Sequence, residues 1–107
     1  MVENDNTEEQ ATLFGVLSDP TRLKLLKLLY QQQQPHALCV NALSGLLGVT
    51  QSAISQHMRV LKSVGLVKGK RLGYHIHYFV NQNTIKRSHD LLTAALNTDE
   101  ISQNDSD

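Results

Sequence analysis

The sequence predicts a mainly α fold of the α+β class, with about five helices and one two-stranded β-hairpin. Three observations predict it. Apolar residues recur at helical spacing from Thr7 to Ser63, with breaks at Asp19-Pro20, Pro35 and Gly48. At Leu66 the apolar period switches from about 3.6 to about 2, the spacing of a strand. After Val80 it returns to the helical value, so a hairpin is set between helices.

Each element has its own signal. From Thr7 to Leu17, Ala11, Leu13, Phe14, Val16 and Leu17 recur on one face. Asp19 can cap the next helix, and Pro20 suits its first position, where a missing N–H costs nothing. In TRLKLLKLLYQQ, the residues Leu23, Leu25, Leu26, Leu28, Leu29 and Tyr30 turn largely inward and Arg22, Lys24 and Lys27 outward. QQQQP reads as a helix end and loop. Residues 39–47 form a short helix that buries Val40, Leu43, Leu46 and Leu47 and stops at Gly48.

Thr50 can cap a helix over 51–63, whose inward residues are Ile54, Met58 and Leu61, with Val64 next. Gly65 supplies its stop. Leu66 and Val67 begin a strand, GKRLG turns, and Tyr74–Val80 returns. Ile76, Tyr78 and Val80 take one face of that strand; His75, His77 and Phe79 take the other. A final helix over 83–97 aligns Ile85, Leu91, Leu92, Ala95 and Leu96. Residues 1–6 and 98–107 are polar and acidic and read as disordered tails, which leaves 7–97 as one domain.

Composition narrows the class of function. No apolar run reaches the roughly 18–20 residues of a membrane span. The acidic start does not resemble a targeting peptide, and a lone cysteine excludes an internal disulfide framework, so the expected compartment is the cytoplasm. The net charge of zero hides a strong segregation. All 10 basic residues lie between Arg22 and Arg87, and no acid falls between Pro20 and His89. Such a stretch suits a polyanionic partner.

The segment LSGLLGVTQSAISQHMRVLKSVGLV has the mechanics of a helix-turn-helix. Leu43, Leu47, Val49 and Ile54 supply a shared core, Ser44 permits close approach, and Gly48 permits the tight turn. The second helix presents Gln51, Ser52, Ser55, Gln56, His57, Arg59 and Lys62. Short neutral groups come first and cations later, the distribution needed to read base edges and hold flanking phosphates. Lys68, Lys70 and Arg71 make the hairpin a basic wing. The expected partner is therefore double-stranded DNA. A winged-helix module for protein–protein contact is the alternative, and a salt-insensitive gel shift, or none at all, would favour it. No Gly-rich phosphate loop or carboxylate occurs in the core span, so no catalytic residue is assigned.

TQSAISQHMRVLKSVGLVKGKRLGYHIHYFV resembles the recognition helix and wing of the ArsR/SmtB family of bacterial winged helix-turn-helix repressors. LSDPTRLKLLKLL is similar to that family's second helix. The resemblance covers residues 9–97. It implies a homodimer built from the first and last helices, an inverted-repeat operator, and release by an inducer.

The family's metal motifs are broken here. Its Cys-Val-Cys reads Cys39-Val40-Asn41, its Asp-x-His reads Gln82-Asn83-Thr84, and the later ligand positions fall near Ala95 and Thr98. No metal or cofactor is therefore expected at these sites. His75 with His77 and His36 with Cys39 are other candidate ligand pairs, each too few alone, and His89 is expected to be exposed or at the dimer interface. The inducer stays open between redox change at Cys39, an unrecognised metal site, a small molecule, or none.

Overall fold

The computed structural model describes residues 6–32 and 38–96; the expected tails other than Asn6, together with His36, lie outside them. Five helices and three short strands follow the chain: α1 Thr7–Val16, α2 Pro20–Gln31, β1 Leu38–Cys39, α3 Val40–Leu47, α4 Gln51–Ser63, β2 Val67–Leu72, β3 His75–Val80 and α5 Gln82–Leu96. The strands form one antiparallel sheet in the order β1-β3-β2.

The corner between α1 and α2 is built by side chains. Asp19 is extended at the N-cap and accepts hydrogen bonds from the N–H groups of Thr21 (2.8 Å) and Arg22 (3.1 Å), with Pro20 at the first helical position. Arg22, expected outward, instead folds back over the end of α1. Its Nε donates to the Val16 carbonyl at 2.7 Å, and its Nη1 lies 3.4 Å from His57 Nδ1 on α4. The orphan carbonyls at a helix C-terminus attract a guanidinium, which explains the reversal.

The backbone N–H of Arg22, then that of Thr21, hold the Asp19 carboxyl below its ordinary 3.8. A depressed folded-state value stabilises above the unfolded value and loses that effect as pH falls through the folded one. Thermal melts from pH 7 downward should therefore show a loss of stability below about pH 3.8 that is smaller in Asp19→Asn. Parallel acid limbs in the two proteins would refute this role.

The core lies between α2, α3, α4 and the sheet. Leu25, Leu43, Ile54, Met58, Leu61 and Leu66 are its most deeply buried side chains, with Leu29, Val67, Tyr78 and Val80 around them. Not every expected inward residue is inside. Leu23, Tyr30 and Leu46 are exposed, Leu46 by 61%. Leu25, Leu26 and Leu29 already fill the single stripe that α2 can turn inward, so further leucines on that helix spill over its edges. In the two-turn α3, only Leu43 takes a fully buried seat.

The turn between α3 and α4 uses Gly48 in the left-handed region (φ 69°), while the Ser44 hydroxyl donates to the Val49 carbonyl. Thr50 then caps α4, its Oγ1 accepting from the Ala53 N–H at 3.1 Å. Thr50→Ala should cost about 1 kcal/mol in denaturant unfolding, with an unchanged m-value. An unaltered midpoint would show that the cap contributes nothing. At its other end α4 closes in a Schellman arrangement. The Leu66 N–H bonds the Leu61 carbonyl, the Gly65 N–H bonds the Lys62 carbonyl, and Gly65 has φ 77°. Leu66 next accepts from the Asn81 N–H at 2.9 Å, which ties the end of α4 to the start of α5.

Two features of the sheet differ from the sequence expectation. The turn is not GKRLG: Gly69–Leu72 belong to β2, and Leu72 pairs with His75 around the two-residue turn Gly73-Tyr74. Gly73 carries the positive φ (68°) that a tight hairpin needs at its first turn position. Gly69 serves another purpose, since a Cβ there would lie 3.1 Å from Ile76 and 3.3 Å from the Tyr78 ring. The hairpin also gains a third strand. Cys39, expected in the helix, is extended (φ −96°, ψ 172°) and pairs with His77, while Leu38 pairs with Tyr78.

Candidate nucleic-acid interface

The candidate interface starts from α4. Ile54, Met58 and Leu61 fix its inner side, so at about 100° per residue the opposite arc is set by geometry alone. Gln51, Ser52, Gln56, Arg59 and Lys62 are exposed, and Ser55 is half-buried among them. His57 stands apart: it is half-buried on the other flank of the inner side, beside Arg22. Its contact is with α2, and the outward arc passes it by.

The cations divide into two groups. Arg22, Lys86 and Arg87 have carboxylate partners in Asp19, Asp90 and Glu9. Arg87 is bidentate on Glu9, its Nη2 at 3.0 Å and its Nε at 3.2 Å, which joins α5 to α1. That hydrogen bond from Arg87 holds the Glu9 carboxyl below its ordinary 4.5. Among the described residues, Lys24, Lys27, Arg59, Lys62, Lys68, Lys70 and Arg71 have no carboxylate partner. Lys24 and Lys27 lie on α2; the other five are all the cations of the recognition helix and hairpin. Unneutralised, they leave that end of the molecule with a positive field that a phosphate backbone can meet.

The hairpin register separates residues that the sequence grouped together. Lys68 opposes Phe79 and Lys70 opposes His77, whereas Arg71 opposes Ile76. Opposed residues share a face, so Arg71 lies on the side of Ile76 and Tyr78, and the two lysines lie on the other. Between the wing, the start of α3 and the start of α4 runs a cleft of about 350 Å³, lined in part by Gln51, Ser52, Ser55, Tyr74 and His75. Tyr74 is 96% exposed at the hairpin tip. The sequence places Tyr74 at the start of the returning strand; in the fold it is the second residue of the turn and lines this cleft.

The metal candidates are only partly brought together. Cys39 and His77 face one another across β1 and β3, joining one member of each candidate pair, and His36 lies outside the described residues. Among the described residues, no group of three or more His, Cys, Asp or Glu side chains is placed to hold a metal ion. His89 is exposed and sits 3.5 Å from Asp90. No helix of the described residues is long and apolar enough to cross a membrane.

A capped second helix with a free polar arc, a tight glycine turn before it and a hairpin after it define a winged helix-turn-helix protein. The profile of the bacterial regulatory protein family arsR matches residues 19–68. The chain belongs to the ArsR family. It is 36% identical over 81 residues to a transcriptional repressor SmtB homolog of Synechocystis, covering 76% of this chain and 58% of that protein. An uncharacterized HTH-type transcriptional regulator of Methanocaldococcus jannaschii is 34% identical, over 74% of this chain and 85% of its own length. Among solved structures, an ArsR-like transcriptional regulator from Rhodococcus superposes with a TM-score of 0.72 at 27% identity, covering 84% of this chain and 81% of that one. The chain thus spans a little over half of the Synechocystis relative and most of the other two.

Proposed function

We propose that this chain is a DNA-binding transcriptional repressor that holds an inverted-repeat operator as a homodimer. The observation that carries the reading is that every cation of α4 and the hairpin lacks a carboxylate partner among the described residues, with Arg59 and Lys62 on the polar arc of α4 itself. The N-terminal half of α4 enters the major groove, where Gln51, Ser52, Ser55 and Gln56 meet base edges. Arg59 and Lys62 hold the flanking phosphates. Arg71 and Tyr74 at the wing tip, with Lys68 and Lys70 behind them, meet the neighbouring backbone or minor groove. His57 braces α4 against α2 through Arg22 and makes no base contact.

Dimerisation through α1 and α5 is supported by what α5 leaves uncovered. None of its residues is buried, and Leu92 and Leu96 are exposed, as is Phe14 on α1. Ile85 packs on the core, but the stripe beyond it, at Leu92 and Leu96, is left open among the described residues, and such a stripe is suited to a second copy.

The test is fluorescence anisotropy on the chain's own promoter fragment and on random duplex, across a salt series. Binding should weaken with salt at a slope of about −0.9 per phosphate neutralised. Gln56→Ala should reduce the preference for the promoter fragment by about 1–3 kcal/mol and leave random-duplex affinity in place. Equal losses on both duplexes would remove Gln56 from base reading, and a salt-independent signal would remove the whole interface.

A further inference from the structure

The two wing lysines that face away from Arg71 look into a groove of their own. It measures about 470 Å³ and lies between the C-terminal end of α2 and the hairpin; Leu29, Tyr30, Gln32, Lys68, Lys70 and Phe79 are among its walls. That volume falls within the roughly 300–1,000 Å³ of small-molecule sites. Its chemistry is mixed in a specific way. Leu29 is core, Phe79 is half-buried, and Tyr30 is 54% exposed, so two aromatic rings and a leucine offer an apolar lining. Lys68 and Lys70 bring two charges with no carboxylate to neutralise them among the described residues.

The polar group at the groove's edge is also incompletely used. Gln32 donates its Nε2–H to the Tyr78 carbonyl at 3.1 Å, while its Oε1 is buried without a donor among the described residues. A buried acceptor left without a donor is costly, and Oε1 would meet a ligand in the groove only if the Gln32 side chain turned.

The geometry points to this groove as a binding site for a small aromatic anion, its ring against Tyr30 and Phe79 and its acidic group on Lys68 and Lys70. An aromatic ring and an anion are what such a lining and such charges recognise together. The site has a regulatory consequence that rests on the function proposed above. Lys68 and Lys70 cannot hold the ligand's acidic group and a DNA phosphate at once, so occupancy of the groove weakens DNA binding. Sensing of this kind uses neither Cys39 nor any metal.

The probe is anilinonaphthalene sulfonate, an aromatic anion whose fluorescence rises on binding, compared with neutral phenylnaphthylamine, which lacks the sulfonate. Titration without DNA should give saturable binding that weakens by at least about tenfold in the Lys68→Gln/Lys70→Gln double variant. Phenylnaphthylamine should bind the wild-type chain no better than the anion binds that variant. Tyr30→Ala, at an exposed position outside the DNA interface, should weaken the dye while leaving dye-free DNA affinity intact. Equal dye binding by wild type and the lysine variant would overturn the site. So would a dye signal lost in Leu96→Gln but retained in the lysine variant, since it places the dye on α5.

With DNA present, the dye should lower the affinity of the wild type and leave the residual affinity of the lysine variant unchanged. Dye binding without any effect on DNA affinity would overturn the regulatory half. A chain that binds the dye as described but binds no DNA would refute the repressor reading and keep the site.

Discussion

Arg59→Ala combined with Arg71→Ala should lower affinity for the promoter fragment and for random duplex by about 100-fold or more. Both residues are exposed, neither has a carboxylate partner among the described residues, and they lie on separate elements, α4 and β2. A hydrogen bond to a charged group contributes about 1.5–3 kcal/mol, so each arginine accounts for roughly a tenfold to hundredfold change. Phosphate contacts carry no base identity, hence the equal loss on both duplexes. The salt slope should also become shallower by about two phosphates per protomer, one for each arginine removed. Nothing in the fold depends on either side chain, so the melting temperature should stay where it was. A loss confined to the promoter fragment would show that these arginines read bases and would reverse the division of labour on α4.

Leu92→Glu with Leu96→Glu should convert the chain to monomers and reduce promoter-fragment affinity by at least about 100-fold. Both leucines are exposed on a helix that has no buried residue, so charging them costs the lone chain little. Two copies would instead have to bury four carboxylates in an apolar seam, which burial strongly opposes. Linking two half-site contacts multiplies affinity by about 100–10,000, and separation forfeits that gain. Sedimentation would report the monomer, and anisotropy would report the lost affinity. A variant that remains dimeric places the seam elsewhere on the molecule. One that becomes monomeric and still binds tightly removes the inverted repeat from the mechanism.

The helix-turn-helix was legible because its signals are local. Asp19, Gly48, Thr50 and Gly65 each announce a helix boundary by chemistry that needs no distant partner, and all four occupy the positions that their chemistry suggests. The hairpin was legible in outline and not in register. Gly69 looked like a turn residue, yet its missing side chain makes room for Ile76 and Tyr78 across the ladder, which no local pattern reveals. The two-residue β1 is too short for any periodicity, so nothing local separates Cys39 from the helix that follows it; the pairing with His77 does. Arg22 was misplaced for a related reason. Its charge suggested solvent, whereas the folded chain gives it to the end of α1 and to His57, a residue that the sequence left between DNA and packing.

The hydrogen bond from the Asn81 N–H to the Leu66 carbonyl, which ties the end of α4 to the start of α5, has a mechanical meaning as well. It lies where α4 ends, the hairpin begins and α5 departs, and Leu66 is wholly enclosed there. In the dimer proposed above, the three arms would meet at this junction, and tilting α5 against its counterpart would swing α4 and the hairpin together as a lever. The distance between the paired α4 helices would then follow the angle at which two α5 helices cross. A signal that changed that angle by a few degrees would move both α4 helices out of step with the helical repeat of DNA.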